Sequence, residues 1–117
     1  MENALRMALL FDFYGPLLTE RQQDVYQMYF HEDLSLGEIG EELHVSRQAI
    51  YDIIKRSGSI LEDFDSKLGL VEKHHERQLL YGEVLELIQL CREATPGDRS
   101  LHLSMIKEKI KRAQGQS

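Results

Sequence analysis

The chain has 117 residues, a formal net charge of -6, 42% apolar residues and 29% charged residues; that length suits one compact domain, and the composition excludes both disorder and a membrane class. Leu and Ile dominate the apolar set, with four Val and two prolines, a bias toward helix over sheet. Residues 1–117 are therefore expected to form a single all-α domain.

The segment from Asn3 to Tyr14 repeats apolar residues at helical spacing through Leu5, Leu9 and Phe13, with Asn3 as the expected N-cap and Gly15-Pro16 as the stop. It is apolar around most of its circumference, so it must be covered by the rest of the fold or by a second subunit. Thr19 and Gln22 have the spacing of a capping box, which opens a helix over about residues 20–31 packed through Val25, Met28 and Tyr29.

Ser35 and Glu38 form a second capping box ahead of Leu36, Ile39 and Leu43, placing a short helix over about residues 36–43. Ser46 caps the next start, and Val45 with Ile50 has the spacing of a hydrophobic staple. Only His44 and Val45 separate the two helices. Two short helices so tightly joined, preceded by a third, have the anatomy of a helix-turn-helix, assigned to residues 17–57.

Ser57-Gly58-Ser59 predicts a break or kink, after which residues 58–114 form a C-terminal helical arm. Its stripe runs through Ile60, Leu61, Phe64, Leu68 and Val71, then Leu79, Leu80, Val84, Leu87, Ile88 and Cys91, with a weak boundary at Gly69 that leaves one helix or two open. Thr95-Pro96-Gly97-Asp98 is predicted as a loop. A last amphipathic helix follows, carrying Lys107, Lys109, Lys111 and Arg112, and residues 114–117 are expected to fray.

Charge is uneven along this chain. Residues 1–45 carry -7 and residues 61–98 carry -5, whereas residues 46–60 carry +2 and residues 99–117 carry +4. Contacts with phosphate are expected in those two basic stretches. A lone Cys91 and the lack of a basic leader before the apolar run at residues 8–11 predict a cytoplasmic protein without disulfides, and that run is too short to span a bilayer.

The second helix of the motif can be tested by rotation, since a helix advances about 100° per residue. With Arg47 at zero, Gln48, Tyr51, Asp52 and Lys55 fall at about 100°, 40°, 140° and 80°, while Ala49, Ile50, Ile53 and Ile54 fall between about 200° and 340°. One arc is core. The other presents Ser46, Arg47, Gln48, Tyr51, Asp52 and Lys55, with Arg56 beside them, and Arg and Gln are the side chains that read guanine and adenine edges in a major groove.

From Leu18 to Gln22 and from Leu34 to Ile50 the sequence resembles the promoter-binding helix-turn-helix of sigma factors, their region four. The chain as a whole, with its apolar first helix and helical tail, resembles the bacterial YlxM family. The resemblance implies a DNA-binding regulatory protein connected with the signal recognition particle pathway, in which Ser46, Arg47, Gln48, Tyr51 and Lys55 take the recognition-helix roles. Three positions depart from the sigma pattern: His44 stands where the turn usually has Gly, Ala49 where a basic residue is usual, and Asp52 adds a negative charge. His accepts a left-handed backbone better than most residues, so the turn is strained rather than excluded, while Ala49 and Asp52 make the helix a poorer phosphate binder than its relatives.

Other motifs carry less. His74-His75 lies near Glu72 and Glu76, but adjacent histidines on a helix point about 100° apart, which favours a solvated face over a metal site. Gly37-Glu38-Ile39-Gly40 has the letters of a nucleic-acid-clamping GXXG loop inside a helical pattern, and Gly40 is better explained as a point of close helix approach. Tyr26, Tyr29 and Tyr81 are expected to be half-buried packing residues, and Cys91 a small hydrophobe. No glycine-rich phosphate loop or nucleophile elbow is present, so no enzyme, cofactor or metal is expected. The expected partners are duplex DNA, a second copy of the chain and, as the rival to DNA, the signal recognition particle's protein or RNA met by Lys107, Lys109, Lys111 and Arg112.

Overall fold

The computed structural model describes residues 2–115, and these form six α-helices and one short 3-10 turn, with no strand among the described residues. In chain order they are α1 (Glu2–Tyr14), the 3-10 turn Gly15–Leu17, α2 (Glu20–Phe30), α3 (Leu36–Leu43), α4 (Arg47–Leu68), α5 (Leu70–Glu93) and α6 (Pro96–Gly115). The fold is an all-α helix-turn-helix. The helices divide into two compact units, one ending at Val71 and the other beginning at Glu72.

In the first unit, two apolar clusters hold four helices and the turn together. Leu10, Tyr14, Leu18, Tyr26 and Leu61 bring α1, α2 and the middle of α4 together, and Val25, Ile39 and Ile50 join α2, α3 and the start of α4. Phe11 stacks on Tyr26 with centroids 5.2 Å apart, an arrangement that adds to area burial. The chain itself thus covers much of α1. Leu5 stays exposed.

A polar lock closes the far end of this unit. Arg6 of α1 donates to both carboxylate oxygens of Glu62, at 2.9 and 2.6 Å, and to Asp65 at 3.2 Å. The Tyr14 hydroxyl donates to Asp65 Oδ1 at 2.7 Å and accepts the Leu70 amide at 3.1 Å, while the Val71 amide donates to Asp65 at 3.2 Å. Asp65 therefore ties α1 to the joint between α4 and α5. Burial pushes its carboxyl up, but the bonds from Tyr14, the Val71 amide and Arg6 outweigh that and hold it below its ordinary value; the bond from Arg6 likewise lowers Glu62.

Several element boundaries differ from the sequence expectation. Asn3 lies inside α1, which begins at Glu2, so it is not an N-cap. No break occurs at Ser57-Gly58-Ser59: α4 runs on to Leu68, and Ser57 is fully buried within it, where a small side chain serves helix packing. The chain turns instead at Gly69, whose φ of 64° is left-handed backbone that glycine accepts readily. Two helices therefore cover residues 59–92.

Pro96, Gly97 and Asp98 form the first turn of α6 rather than a loop. Pro suits a first helical position where its missing N–H would be unpaired, and the Thr95 hydroxyl accepts the Asp98 amide at 3.4 Å. Helix α6 extends through Gln114 to Gly115, and residues 116–117, the rest of the segment expected to fray, lie outside the described residues. Tyr26 is fully buried and Tyr81 is exposed, so neither is half-buried; Tyr29 lies at the edge of exposure.

In the second unit α5 and α6 lie against each other along one seam. Leu80, Val84, Leu87 and Cys91 line it from α5, but only Leu87 and Cys91 reach full burial. Lys109 donates to Glu83 at 2.9 Å, and Arg99 donates to the Cys91 carbonyl at 3.1 Å. No helix among the described residues is long and apolar enough to cross a membrane.

Candidate nucleic-acid interface

The geometry of α4 begins with the turn before it. Both sequence-read capping boxes are formed: Thr19 and Gln22 exchange bonds at the start of α2, and Ser35 and Glu38 do so at the start of α3. The backbone bond from Ser35 holds the Glu38 carboxyl below its ordinary value, as expected for a carboxylate at a helix N-terminus. At the other end of α3, His44 adopts φ 61° and ψ 41°, a left-handed cap whose amide bonds to the Gly40 carbonyl. Val45 donates to the same carbonyl at 3.0 Å.

Gly40 fixes how closely the two helices approach. A Cβ there would stand 2.7 Å from the Val45 carbonyl oxygen, a backbone contact that no side-chain rearrangement relieves. The Ser46 hydroxyl then accepts the Ala49 amide at 3.0 Å and caps α4. Val45 packs against the cluster holding Ile50, as the staple spacing predicts. The turn is therefore fixed at four points: the left-handed His44, Gly40, the Ser46 cap and the packing of Val45 against the cluster of Val25, Ile39 and Ile50.

The consequence is a sorted helix. Ser46, Arg47, Gln48, Tyr51, Asp52, Lys55 and Arg56 are all exposed, whereas Ile50 is buried and Ala49, Ile53 and Ile54 are partly so. Gln48 donates to Asp52 Oδ1 at 3.1 Å, which holds the amide along the helix. The Lys55 ammonium lies 5.7 Å from the centre of the Tyr51 ring, within reach of a cation–π attraction. Arg47 has no bonded partner among the described residues, so its guanidinium is open to a ligand. The face carries three cations against one carboxylate.

Beside this face lies a groove of about 680 Å³ whose lining includes Tyr26, Tyr29, Phe30, Tyr51 and Ile54. From sequence alone Tyr29 is expected only as a half-buried packing residue. Its position at the groove follows from the crossing of α2 and α4, which has no local signal.

The basic end of α6 is less open than its charge count implies. Lys109 is engaged by Glu83, and Arg112 lies 3.9 Å from Glu108. Lys107 and Lys111 are exposed. Among the described residues no group of three His, Cys, Asp or Glu side chains is arranged to hold a metal ion.

A family model described as "Putative helix-turn-helix protein, YlxM / p13 like" (UPF0122) matches residues 1–95. Among curated proteins, a UPF0122 protein of Thermoanaerobacter sp. (strain X514) is 43% identical over 111 residues, spanning 95% of this chain and 92% of the relative. A UPF0122 protein of Bacillus thuringiensis (strain Al Hakam) is 50% identical over 88 residues, spanning 75% of this chain and 80% of the relative.

Proposed function

The chain belongs to the YlxM/p13-like helix-turn-helix family, and from that premise we propose that it is a cytoplasmic regulatory protein that binds duplex DNA as a homodimer, with no catalytic step. The observation that carries this reading is the sorting of α4, whose exposed arc gathers Arg47, Gln48, Tyr51, Lys55 and Arg56 on a helix held by a rigid turn. In a major groove Arg47 reads a guanine edge and Gln48 an adenine edge, the latter after leaving Asp52. Lys55 and Arg56 meet phosphate, and the Ser46 hydroxyl and the free amides of the first turn of α4 take another phosphate. Two copies set two such helices on two half-sites.

Selection of duplexes from a random pool, followed by anisotropy titration across salt, tests the reading. Arg47→Ala should weaken the selected duplex by about 1 to 3 kcal/mol and leave non-specific binding nearly unchanged. Failure to enrich any sequence, or an Arg47→Ala protein that binds as wild type, would sink it.

A second reading rests on the exposure of Lys107 and Lys111 on a helix that lies beyond the residues matched by the family model. In that reading the α6 end, with Lys109 and Arg112 behind it, is an adaptor contact for the protein or RNA of the signal recognition particle. Charge reversal at Lys107 and Lys111 separates the two, since it abolishes particle binding under the second reading and leaves DNA selection intact under the first.

A further inference from the structure

We propose that the groove between α2 and α4 binds a lipophilic organic cation, an aromatic body of small-molecule size carrying one delocalised or quaternary positive charge. The site goes beyond the DNA and adaptor readings and depends on neither.

The inference starts from the rings. The groove encloses about 680 Å³, within the range of small-ligand pockets. Helix α2 contributes a run of three aromatic side chains: the ring centres of Tyr26 and Phe30 are 4.5 Å apart, and Phe30 meets Tyr29 edge to face at 4.9 Å. Tyr51 of α4 adds a fourth ring, and Tyr29 and Tyr51 remain 36% and 45% exposed. Ring faces attract cations, as the Lys55 ammonium 5.7 Å from the Tyr51 ring centre illustrates. All of the lining belongs to helices, so no sheet edge is offered to an extended peptide.

Charge along the groove separates into two ends. With Tyr51 at zero, Lys55, Glu62 and Ser66 fall at about 40°, 20° and 60° on α4, one line down the helix. Lys55 and Glu62 are about 10 Å apart along the axis, more than a Debye length at physiological salt, so the ammonium is largely screened from the far end. There Glu62 and Asp63 line the groove. Arg6 bridges Glu62 and Asp65, and Lys67 stands 3.6 Å from Asp63 with both side chains more than 70% exposed. The bonded set at that end is therefore three carboxylates against two cations. The charge of Glu62 reaches the ring wall, since it adds to burial in pushing the Tyr26 hydroxyl up.

These features select the chemistry of the occupant. An apolar body of any charge gains from covering the exposed rings, but a cation seated toward Glu62 gains from the ring faces and from the excess carboxylate together. A phosphate-bearing ligand meets repulsion from Glu62 and Asp63 in the same place. A simple ammonium is strongly hydrated, whereas a bulky or delocalised cation gives up its water at little cost and suits an aromatic lining. One net charge acting over about 8 Å in a water-like dielectric separates a cation from an anion of the same shape by about fivefold in affinity.

Tetraphenylphosphonium and tetraphenylborate, matched in size and shape and opposite in charge, are the probes. Equilibrium dialysis against the full chain in sodium buffer should show the cation bound about fivefold more tightly than the anion. Its amide shift changes in NMR should centre on Tyr29, Gly58 and Glu62. Asp63→Lys, at a side chain 71% exposed, should reverse the preference, whereas Glu93→Lys, the same charge change at the end of α5, should leave it as it is. Tyr29→Leu should weaken the cation severalfold; if that variant loses far-ultraviolet helicity, the shift map of the wild-type chain decides instead. Four results would overturn the proposal: borate bound as tightly as the cation, an Asp63→Lys chain that keeps the wild-type preference, shifts confined to exposed apolar residues of the α5–α6 hairpin such as Leu85 and Leu103, or no binding of the cation up to millimolar concentration. None of them bears on DNA selection by α4.

Discussion

The two units are both built from amphipathic helices, yet they reach different ends. The first buries Leu10, Tyr14, Val25, Tyr26, Ile39, Ile50 and Leu61 completely, because four helices cross and each covers a face of another. The second has two helices and one seam, so its apolar flanks stay in water. The difference teaches that the motif-bearing unit holds α4 by its own packing, while the arm leaves much of its apolar surface uncovered. The exposed face of α4 is held by a packed core, and any association through the arm would change the arm's stability first.

The comparison is sharpest at Ile50, which is fully buried at the junction of α2, α3 and α4. Ile50→Ala should cost about 2 to 5 kcal/mol, the transfer loss plus the cavity left behind. Hydrogen exchange should locate that loss in α1 to α4 and leave α5 and α6 at wild-type protection. Equal loss in both units would mean that they unfold as one, and the contrast drawn between them would fail.

Much of the first unit could be read from sequence because its determinants are local. Thr19 with Gln22, Ser35 with Glu38, and Ser46 with Ala49 act within one turn, and the exposed arc of α4 follows from helix rotation alone. The left-handed turn at His44 was legible from the sigma resemblance, which has Gly there, rather than from the residue itself. Ser57-Gly58-Ser59 misled because residues that weaken a helix in isolation are overridden by tertiary packing, which buries Ser57 completely inside α4. The bonds of Arg6 to Glu62 and Asp65 link residues 56 and 59 positions apart and left no local trace. In the arm, the seam and the apolar flank look alike in sequence, since periodicity reports which residues are apolar and not which are covered.

The Asp65 lock gives the next largest effect and a pH dependence confined to the first unit. The folded carboxyls of Glu62 and Asp65 sit below their ordinary values of 4.5 and 3.8, so the unfolded chain binds protons first as pH falls. Their stabilisation is complete above those ordinary values and is lost as pH drops through the lower folded ones. Asp65→Asn should cost about 1.5 to 3 kcal/mol near neutrality, the range for hydrogen bonds to a charged group, and should flatten the acid limb of a urea-denaturation series monitored in α1 or α4. An acid limb as steep in the variant as in wild type would place the titrating groups elsewhere.

The smallest expected effect lies in the arm. Lys109 and Glu83 form the one salt bridge between α5 and α6 among the described residues, at 2.9 Å, with both side chains substantially solvated. A solvent-exposed pair of this kind is worth roughly 0 to 1 kcal/mol once side-chain ordering and screening are counted. If the hairpin is held mainly by apolar cover from a second copy, Lys109→Ala should shift its melting by no more than that, and the shift should shrink as salt is raised. A hairpin held mainly by its own polar contacts would instead lose much of its helicity on this single change, at any protein concentration. Melting wild type and Lys109→Ala across a dilution series therefore weighs the two forces against each other, because loss of stability on dilution belongs to association and loss on substitution belongs to the ion pair.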